Sequence, residues 1–461
     1  MEPVLKTGGQ KCLVGSNPTP SAATLSKGFA LTELRRRSSP AIAGIARHGQ
    51  LKASHSVLTV LKFVAVALTV LLVSAASVAG IAVSQLSNGI KTVALAGEKV
   101  GPPPDLGSYE GGFNILIVGS DTRAGQGAQF GVDGGVLNDV TMLVHVAQDQ
   151  KNAVAVSIPR DMVVPIPPCP RLDGKGNYNS MSAQPINNTL AYGGLACTVL
   201  TVEKLTGLKI PFATLITFQG VIQMSNAVGG VPVCVNGPMI DDYSGIRLPK
   251  AGSYTLAGAD ALAFLRSRHG IGDGSDLGRI SSQQVFLSSL VRTVKSNDTL
   301  TNFSKLYAIA TAASQNMTLS NSLKNVNTMA SLALVLKGIP LDHISFVQYP
   351  STTGVGGVYS GKVAPLPNIA TALFAKIKAD EPFTLDSGTG RGSVVDPTAP
   401  APTPTPTPSP TASAPAVAPS TATPAPGAPA PTASAAPVAP QAVAGVLGQT
   451  AADYTCSKVN R

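Results

Sequence analysis

The chain has 461 residues and a formal charge of +10, yet only 13% of its residues are charged. Length alone allows two or three domains, but the 37 prolines gather late in the chain, in Ala/Thr/Pro repeats that exclude a packed core there. The basic excess does not read as a nucleic-acid surface. Lys6, Lys11, Lys27, Arg35, Arg36, Arg37, Arg47, Lys52 and Lys62 face only Glu2 and Glu33, and a basic segment ahead of an apolar run sets membrane topology instead.

In chain order, GSNPTP at 15–20 is what the TΨC-arm DNA of a tRNA gene gives when translated. Residues 1–22, Cys12 included, are therefore expected to stem from a start codon placed too far upstream. Residues 1–56 read as a basic cytoplasmic segment. The run FVAVALTVLLVSAASVAGIAV at 63–83 carries no charge and is long enough for a ~30 Å hydrocarbon core. An uncleaved anchor is expected over 57–83, because the apolar core of a signal peptide usually spans only about 7–15 residues. The charge ahead of the anchor places everything after it outside the cell. Residues 84–107 read as a linker, 108–385 as the folded body, 386–440 as a polyproline-like spacer, and 441–461 as a short segment able to clip back through Cys456. Four cysteines (Cys169, Cys197, Cys234, Cys456) follow the anchor, as befits a compartment where disulfides persist. Cys169–Cys197 is the favoured pair, closing a loop at a gain of about 3 kcal/mol.

Within the body, FNILIVG (113–119), VTMLVHV (140–146) and AVAVSIP (153–159) are short, β-branched apolar runs that predict strands, the last two joined as a hairpin. TVEKLTG (201–207), 276–295 and 321–337 predict helices; VPVCV (231–235) and ISFVQYP (344–350) predict strands. The result is an α/β fold, an α-β-α arrangement with a central mixed sheet flanked by helices.

Chemistry collects at the predicted strand ends. An up-down-up run of the first three strands gathers Asp121, Arg123, Asp139, Arg160 and Asp161 on one rim, where α/β sheets usually place ligands. Further on, LAGADALAF (256–264) suits a helix and FLRSR an extended segment, which would point Arg266 and Arg268 to one face. The turn GIGDG follows, then Ser275 or Asp276 as N-cap of a helix. On that helix Ile280, Leu287, Val291 and Val294 form an apolar stripe, while Asp276, Arg279 and Gln283 share another face. Arginine forks match phosphate oxygens, and carboxylates among them suit Mg²⁺. The combination describes a pyrophosphate site. His145, inside an apolar strand, reads as structural, whereas His269 is a candidate phosphate contact. There is no HExxH, Walker A loop or GxSxG motif.

FNILIVGSDTR, NDVTMLVHV, VSIPRD, INNTLAYGG with TVEKLTG, and ALAFLRSRHGIGDGSDLGR occur in this order over roughly 112–295. Together they resemble the LytR–CpsA–Psr family. The resemblance implies an anchored enzyme, its catalytic domain outside the membrane, that moves a glycopolymer from a polyprenyl-pyrophosphate carrier to peptidoglycan through a phosphodiester. By motif it implies Asp121 and Asp139 as Mg²⁺ (or Mn²⁺) ligands. It implies Arg123, Arg160, Arg266, Arg268 and Arg279 as pyrophosphate contacts, with Gln283 beside them. Asp276 matches the family Asp of DLGR, and Asp161 is expected to orient arginines or serve as the base, so that Asp161, Asp276, Arg266 and Arg268 form the expected catalytic set. The prenyl chain is expected in an apolar pocket under the sheet. Two positions depart from the family: Leu137 and Ser282 stand where Arg is frequent. A polyprenyl-phosphate-binding regulator and a hydrolase that releases the polymer to water remain open as other functions.

Overall fold

The computed structural model describes residues 56–98, 101–122 apart from 103 and 106, 135–296, 299, 302–385, 388–399 and 441–460. The chain divides into two compact units, Met1–Thr69 and Val70–Arg461. Helix α1 (Ser56–Gly89) contains the stretch Val57–Leu86, which is long and apolar enough to cross a membrane. The reading of residues 1–22 as a start-site artefact lies outside the described residues.

Twelve strands frame the larger unit. They are β1 (Lys91–Val93), β2 (Phe113–Ser120), β3 (Asn138–Val146), β4 (Ala153–Ile158), β5 (Phe212–Ile216), β6 (Val231–Val235), β7 (Gly252–Leu256), β8 (Met317–Ser320), β9 (Ile344–Gln348), β10 (Ser393–Val395), β11 (Gly448–Thr450) and β12 (Thr455–Ser457). Its helices include α2 (Thr189–Thr206), α3 (Phe218–Val228), α4 (Gly258–Arg266), α5 (Asp276–Lys295), α6 (Phe303–Asn316), α7 (Val326–Gly338) and α8 (Pro367–Lys378). Eight strands form one mixed sheet in the order β1-β8-β5-β2-β3-β4-β9-β11. β2, β3 and β4 are antiparallel neighbours, while β5 runs parallel to β2 and β9 parallel to β4.

The period-two alternation of these strands sorts their side chains between two cores. Leu116, Val118, Leu143, Val156 and Ile158 pack with Val199 and Val202 of α2 and with Leu373 and Phe374 of α8. Ile115, Ile117, Met142, Val144 and Ala155 pack on the other face with Leu287 and Val291 of α5 and Leu332 of α7. The expected α-β-α layering is therefore present. Leu116 and Leu143 are wholly buried, so truncating either to Ala costs about 2–5 kcal/mol. The α5 stripe is interior as expected: Ile280 is buried, and Leu287, Val291 and Val294 are half-buried.

A second sheet, β7-β6-β12-β10, carries the C-terminal end of the chain. β12 runs parallel to β6 with Cys456 opposite Cys234, and the two sulfurs are bonded. Cys169 and Cys197 form the other disulfide.

Four expectations need correction. The linker 84–107 is partly built into the fold, because α1 runs on to Gly89 and β1 edges the main sheet against β8. The spacer does not begin at 386: β10 pairs with β12, and β11 extends the main sheet beside β9. β10, β11 and β12 have three residues each, too few to show any periodicity. The helix expected over 321–337 starts at Val326 with Asn325 as its N-cap; Asn321–Leu323 is a separate 3₁₀ turn. Finally, FLRSR is not extended. Helix α4 continues through Arg266, since Ala261, Leu262 and Phe264 bury at helical spacing, and only Ser267 turns to extended backbone.

Candidate active site

Because β2, β3 and β4 run up, down and up, the end of β2, the start of β3 and the end of β4 meet at one edge of the sheet. Gly119 pairs with Val140 and Ser120 with Asn138, which leaves Asp139 as the extra residue of a bulge. Bulges bend a strand and re-aim a side chain beside functional sites. Asp121 is fixed by Leu137 through main-chain groups: its N–H donates to the Leu137 carbonyl (3.1 Å) and its Oδ1 accepts from the Leu137 N–H (2.8 Å). The Leu137 side chain has no part in this, so the departure from Arg there leaves the Asp121 backbone support intact.

Helices α4 and α5 and the loop between them supply the opposite wall. Arg266, at the last turn of α4, lies with its guanidinium carbon 4.6 Å from the centroid of Phe218, a cation–π contact that orients the fork. Phe218 opens α3, which Thr217 caps by accepting from Gly220 N–H. Ser275 caps α5 by accepting from Gly278 N–H (3.1 Å), as one of the two expected candidates. Asp276 then links three arginines. Its Oδ1 lies 2.6 Å from Arg279 Nη2 and 3.5 Å from Arg268 Nη2, and its Oδ2 accepts from the Arg160 N–H (3.2 Å). Arg160 donates through Nη1 to Asp139 Oδ1, and Arg279 donates through Nη2 to the Asp139 carbonyl (2.9 Å).

Asp121, Asp139, Arg160, Arg266, Arg268 and Arg279 all line one cleft of about 220 Å³, with Phe218, Asp241, Tyr243, Ser244 and His269 completing its walls. Seven of the sequence-selected residues, His269 among them, are thus brought together. Arg123 lies outside the described residues. Asp161 and Asp276 stand behind the arginines and not on the cleft wall. Asp161 faces Arg160 Nε (3.5 Å) and Lys362 Nζ (3.8 Å), contacts that suit the expected orienting role. Gln283, expected beside the pyrophosphate, instead donates through Nε2 to the Leu265 carbonyl (3.0 Å), bracing the residue before Arg266, and it does not line the cleft.

Asp241 is the residue that sequence reasoning missed. Its Oδ2 accepts from Ser267 Oγ (2.7 Å) and from the N–H groups of Arg268 (3.0 Å) and His269 (3.1 Å); its Oδ1 accepts from Tyr243 N–H (3.0 Å). Burial alone would raise this carboxyl, but those donors outweigh it and hold it below its ordinary value. The carboxylate thereby ends α4 and fixes the loop that bears Arg268. The turn residues DDYSG around it were the available signal, but nothing in the sequence connects them with a loop more than twenty positions away.

The electrostatics are near balance. Arg160, Arg266, Arg268 and Arg279 are set against Asp121, Asp139, Asp161, Asp241 and Asp276, so the carboxylates offset the arginines. Burial and the neighbouring Arg279 and Arg160 cations lower Arg268, against the pull of Asp276 and Asp161. Burial also lowers Arg160, but Asp139, Asp161 and Asp276 leave it raised overall. Arg279 Nε is buried without a hydrogen-bond partner among the described residues, a costly state for a donor that an anion would relieve; Arg160 Nε makes no hydrogen bond there either, but faces the Asp161 carboxylate at 3.5 Å. The cleft carboxylates of Asp121 and Asp139 are hard oxygen donors of the kind Mg²⁺ takes one or two at a time, together with substrate phosphates. The donor set therefore fits that ion. The group of three candidate ligands that lie close together among the described residues is Cys234, Asp396 and Cys456, whose sulfurs are consumed by their disulfide.

A further match decides the lineage: the family model described as the LytR_cpsA_psr family covers residues 78–370. The chain belongs to this family. Among curated relatives, it is 30% identical over 274 residues to the cell wall biosynthesis protein LcpA of Corynebacterium glutamicum, covering 54% of this chain and 52% of that protein. It is 27% identical over 311 residues to the polyisoprenyl-teichoic acid–peptidoglycan teichoic acid transferase TagT of Bacillus subtilis, covering 66% and 89%. The chain thus spans about half the length of LcpA and most of TagT. The solved LytR-Csp2A-Psr enzyme from Actinomyces oris aligns at 22% identity with a TM-score of 0.46, over 62% of this chain and 95% of that one.

Ser282 is buried and its Oγ lies 2.6 Å from Ser457 Oγ on β12, so the C-terminal strand fills the space an arginine would need. His145 is structural, as expected. Its Nδ1 meets Asn114 Oδ1 (2.8 Å) and its Nε2 meets Asp380 Oδ1 (2.9 Å), at the sheet end away from the cleft.

Proposed function

We propose that the chain is a membrane-anchored phosphotransferase that moves a glycopolymer from a polyprenyl-pyrophosphate carrier to peptidoglycan, forming a phosphodiester. The observation that carries this reading is the convergence of four arginines and two cleft carboxylates on one rim, in a chain of a family whose members include named teichoic acid transferases. α1 anchors the protein with its N-terminus in the cytoplasm and the α/β unit outside, where the two disulfides persist.

Arg266, Arg268 and Arg279 grip the pyrophosphate from the α4–α5 wall, and Arg160 from the sheet side. Asp276 holds the forks of Arg268 and Arg279 and the main chain of Arg160 in register. Bound Mg²⁺, held by Asp121, Asp139 and substrate oxygens, would act as Lewis acid and offset charge on the phosphates. A peptidoglycan hydroxyl attacks the phosphorus next to the sugar, and its proton passes to a cleft carboxylate. The bond to the prenyl phosphate breaks, and the arginines stabilise the charge that develops on the departing group. An apolar groove of about 500 Å³ between α2 and α8, lined by Leu205, Tyr349, Ala370 and Phe374 among others, is our candidate for the prenyl chain. Its apolar character is felt by Tyr349, whose hydroxyl burial pushes up to about 12.

Binding of a short polyprenyl pyrophosphate to the full chain, followed with and without Mg²⁺, tests this site. Arg268→Ala is expected to weaken binding at least tenfold, a loss of about 1.4 kcal/mol or more, and Asp139→Ala to abolish the Mg²⁺ dependence. Unchanged affinity in both variants would refute the assignment.

A further inference from the structure

Tyr243 is 82% exposed, the most exposed large aromatic or aliphatic side chain among the described residues. A single exposed ring is ordinary, but this one sits on the wall of the arginine cleft and is held there. Its ring stacks on that of His269, with centroids 4.4 Å apart and planes inclined by 32°. Its backbone is pinned by the N–H donated to Asp241 Oδ1, while the other oxygen of the same carboxylate accepts from Arg268 and His269. One buried carboxylate therefore sets the spacing between the aromatic pair and the phosphate clamp.

We propose that Tyr243, backed by His269, is a stacking platform for the pyranose ring joined directly to the pyrophosphate. This rests on the phosphotransferase reading and specifies the sugar subsite of the same cleft. A pyranose presents a C–H face of low polarity and a rim of hydroxyls. An aromatic ring with one open face and a polar tip complements both. The sugar of a glycosyl pyrophosphate lies one C–O bond from the phosphate, so a ligand gripped by Arg266 and Arg268 brings its first ring to the wall that Tyr243 occupies. The platform discriminates by the sugar, whereas the arginines bind any pyrophosphate. Substituting Tyr243 leaves the main-chain bond to Asp241 in place, so the loop and the clamp persist.

The test measures the affinity of the detergent-solubilised full chain, with Mg²⁺, for two probes. These are a short polyprenyl pyrophosphate and the same lipid carrying one N-acetylhexosamine. Wild type is expected to prefer the sugar-bearing probe. Tyr243→Ala is expected to lose about tenfold on that probe alone, and Tyr243→Phe to retain it. Equal wild-type affinity for the two probes, or a Tyr243→Ala variant that keeps the preference or weakens on both probes alike, would overturn the platform. A sugar effect seen only with free peptidoglycan fragments would assign the ring to the acceptor and also overturn it. If wild type bound neither probe, the phosphotransferase reading itself would fail.

Discussion

Replacing Asp276 by Ala probes the architecture of the clamp. The carboxylate is 6% exposed and touches Arg279, itself 4% exposed, at 2.6 Å. Removing one member of a buried ion pair leaves the other charged and unpaired, which costs about 3–5 kcal/mol. Arg279 has little to fall back on. Its Nε has no hydrogen-bond partner among the described residues, and its Nη2 keeps the Asp139 carbonyl alone among the bonds described here. The helix start is spared, because Ser275 does the capping, although loss of the acidic first-turn residue removes a further ~0.3–1 kcal/mol. At roughly 2–4 °C per kcal/mol, the range for domains of about 150–250 residues, the melting temperature is expected to fall by about 7–24 °C. Inorganic pyrophosphate with Mg²⁺ should recover more of that loss in Asp276→Ala than it adds to wild type, since it supplies the missing anion. Thermal denaturation followed by circular dichroism, with and without pyrophosphate, reads both effects. A variant that melts within about 1 °C of wild type would refute the claim that Asp276 compensates buried arginine charge.

Three further outcomes follow from the structure. Replacing Cys234 and Cys456 together by Ser opens a loop of 222 residues and is expected to cost about 5 kcal/mol, more than the ~3–4 kcal/mol for Cys169 and Cys197; denaturant unfolding of the two double variants compares them. Burial lowers His145, against the opposing pull of Asp380. Its neutral form is thus favoured in the folded state, and stability should decline as pH falls below the ordinary histidine value of 6.5. Urea titrations between about pH 7.5 and 5.5 should show that component shrinking in His145→Asn. Ser282→Arg should destabilise by about 1–3 kcal/mol or more through overpacking against β12, visible as faster proteolysis near the C-terminus.

Much of the scaffold was legible because its signals are long and local. β2, β3 and β4 declare themselves by apolar runs of six to nine residues, and α5 by its stripe and its Ser275 cap. Their ends located Asp121, Asp139 and Arg160 without any knowledge of packing. FLRSR misled because five residues can satisfy both periods, and burial of Leu262 and Phe264 decided for the helix. The C-terminal strands were hidden by the low-complexity tract before them and by their brevity, with Cys456 as the one visible clue. Asp241 and Tyr243 went unnoticed because their importance lies in a tertiary encounter with Arg268 and His269. Gln283 carried the right motif position but spends its amide on Leu265.

The most direct measurement incubates the full chain in detergent with a short polyprenyl-pyrophosphate glycan, peptidoglycan oligomers and Mg²⁺, and analyses the products by mass spectrometry. The account predicts a phosphodiester-linked glycan–peptidoglycan product that disappears in Arg266→Ala and Asp139→Ala. Tight lipid binding without any product, unaltered by Asp139→Ala, would contradict it and leave a lipid-binding protein in place of a transferase.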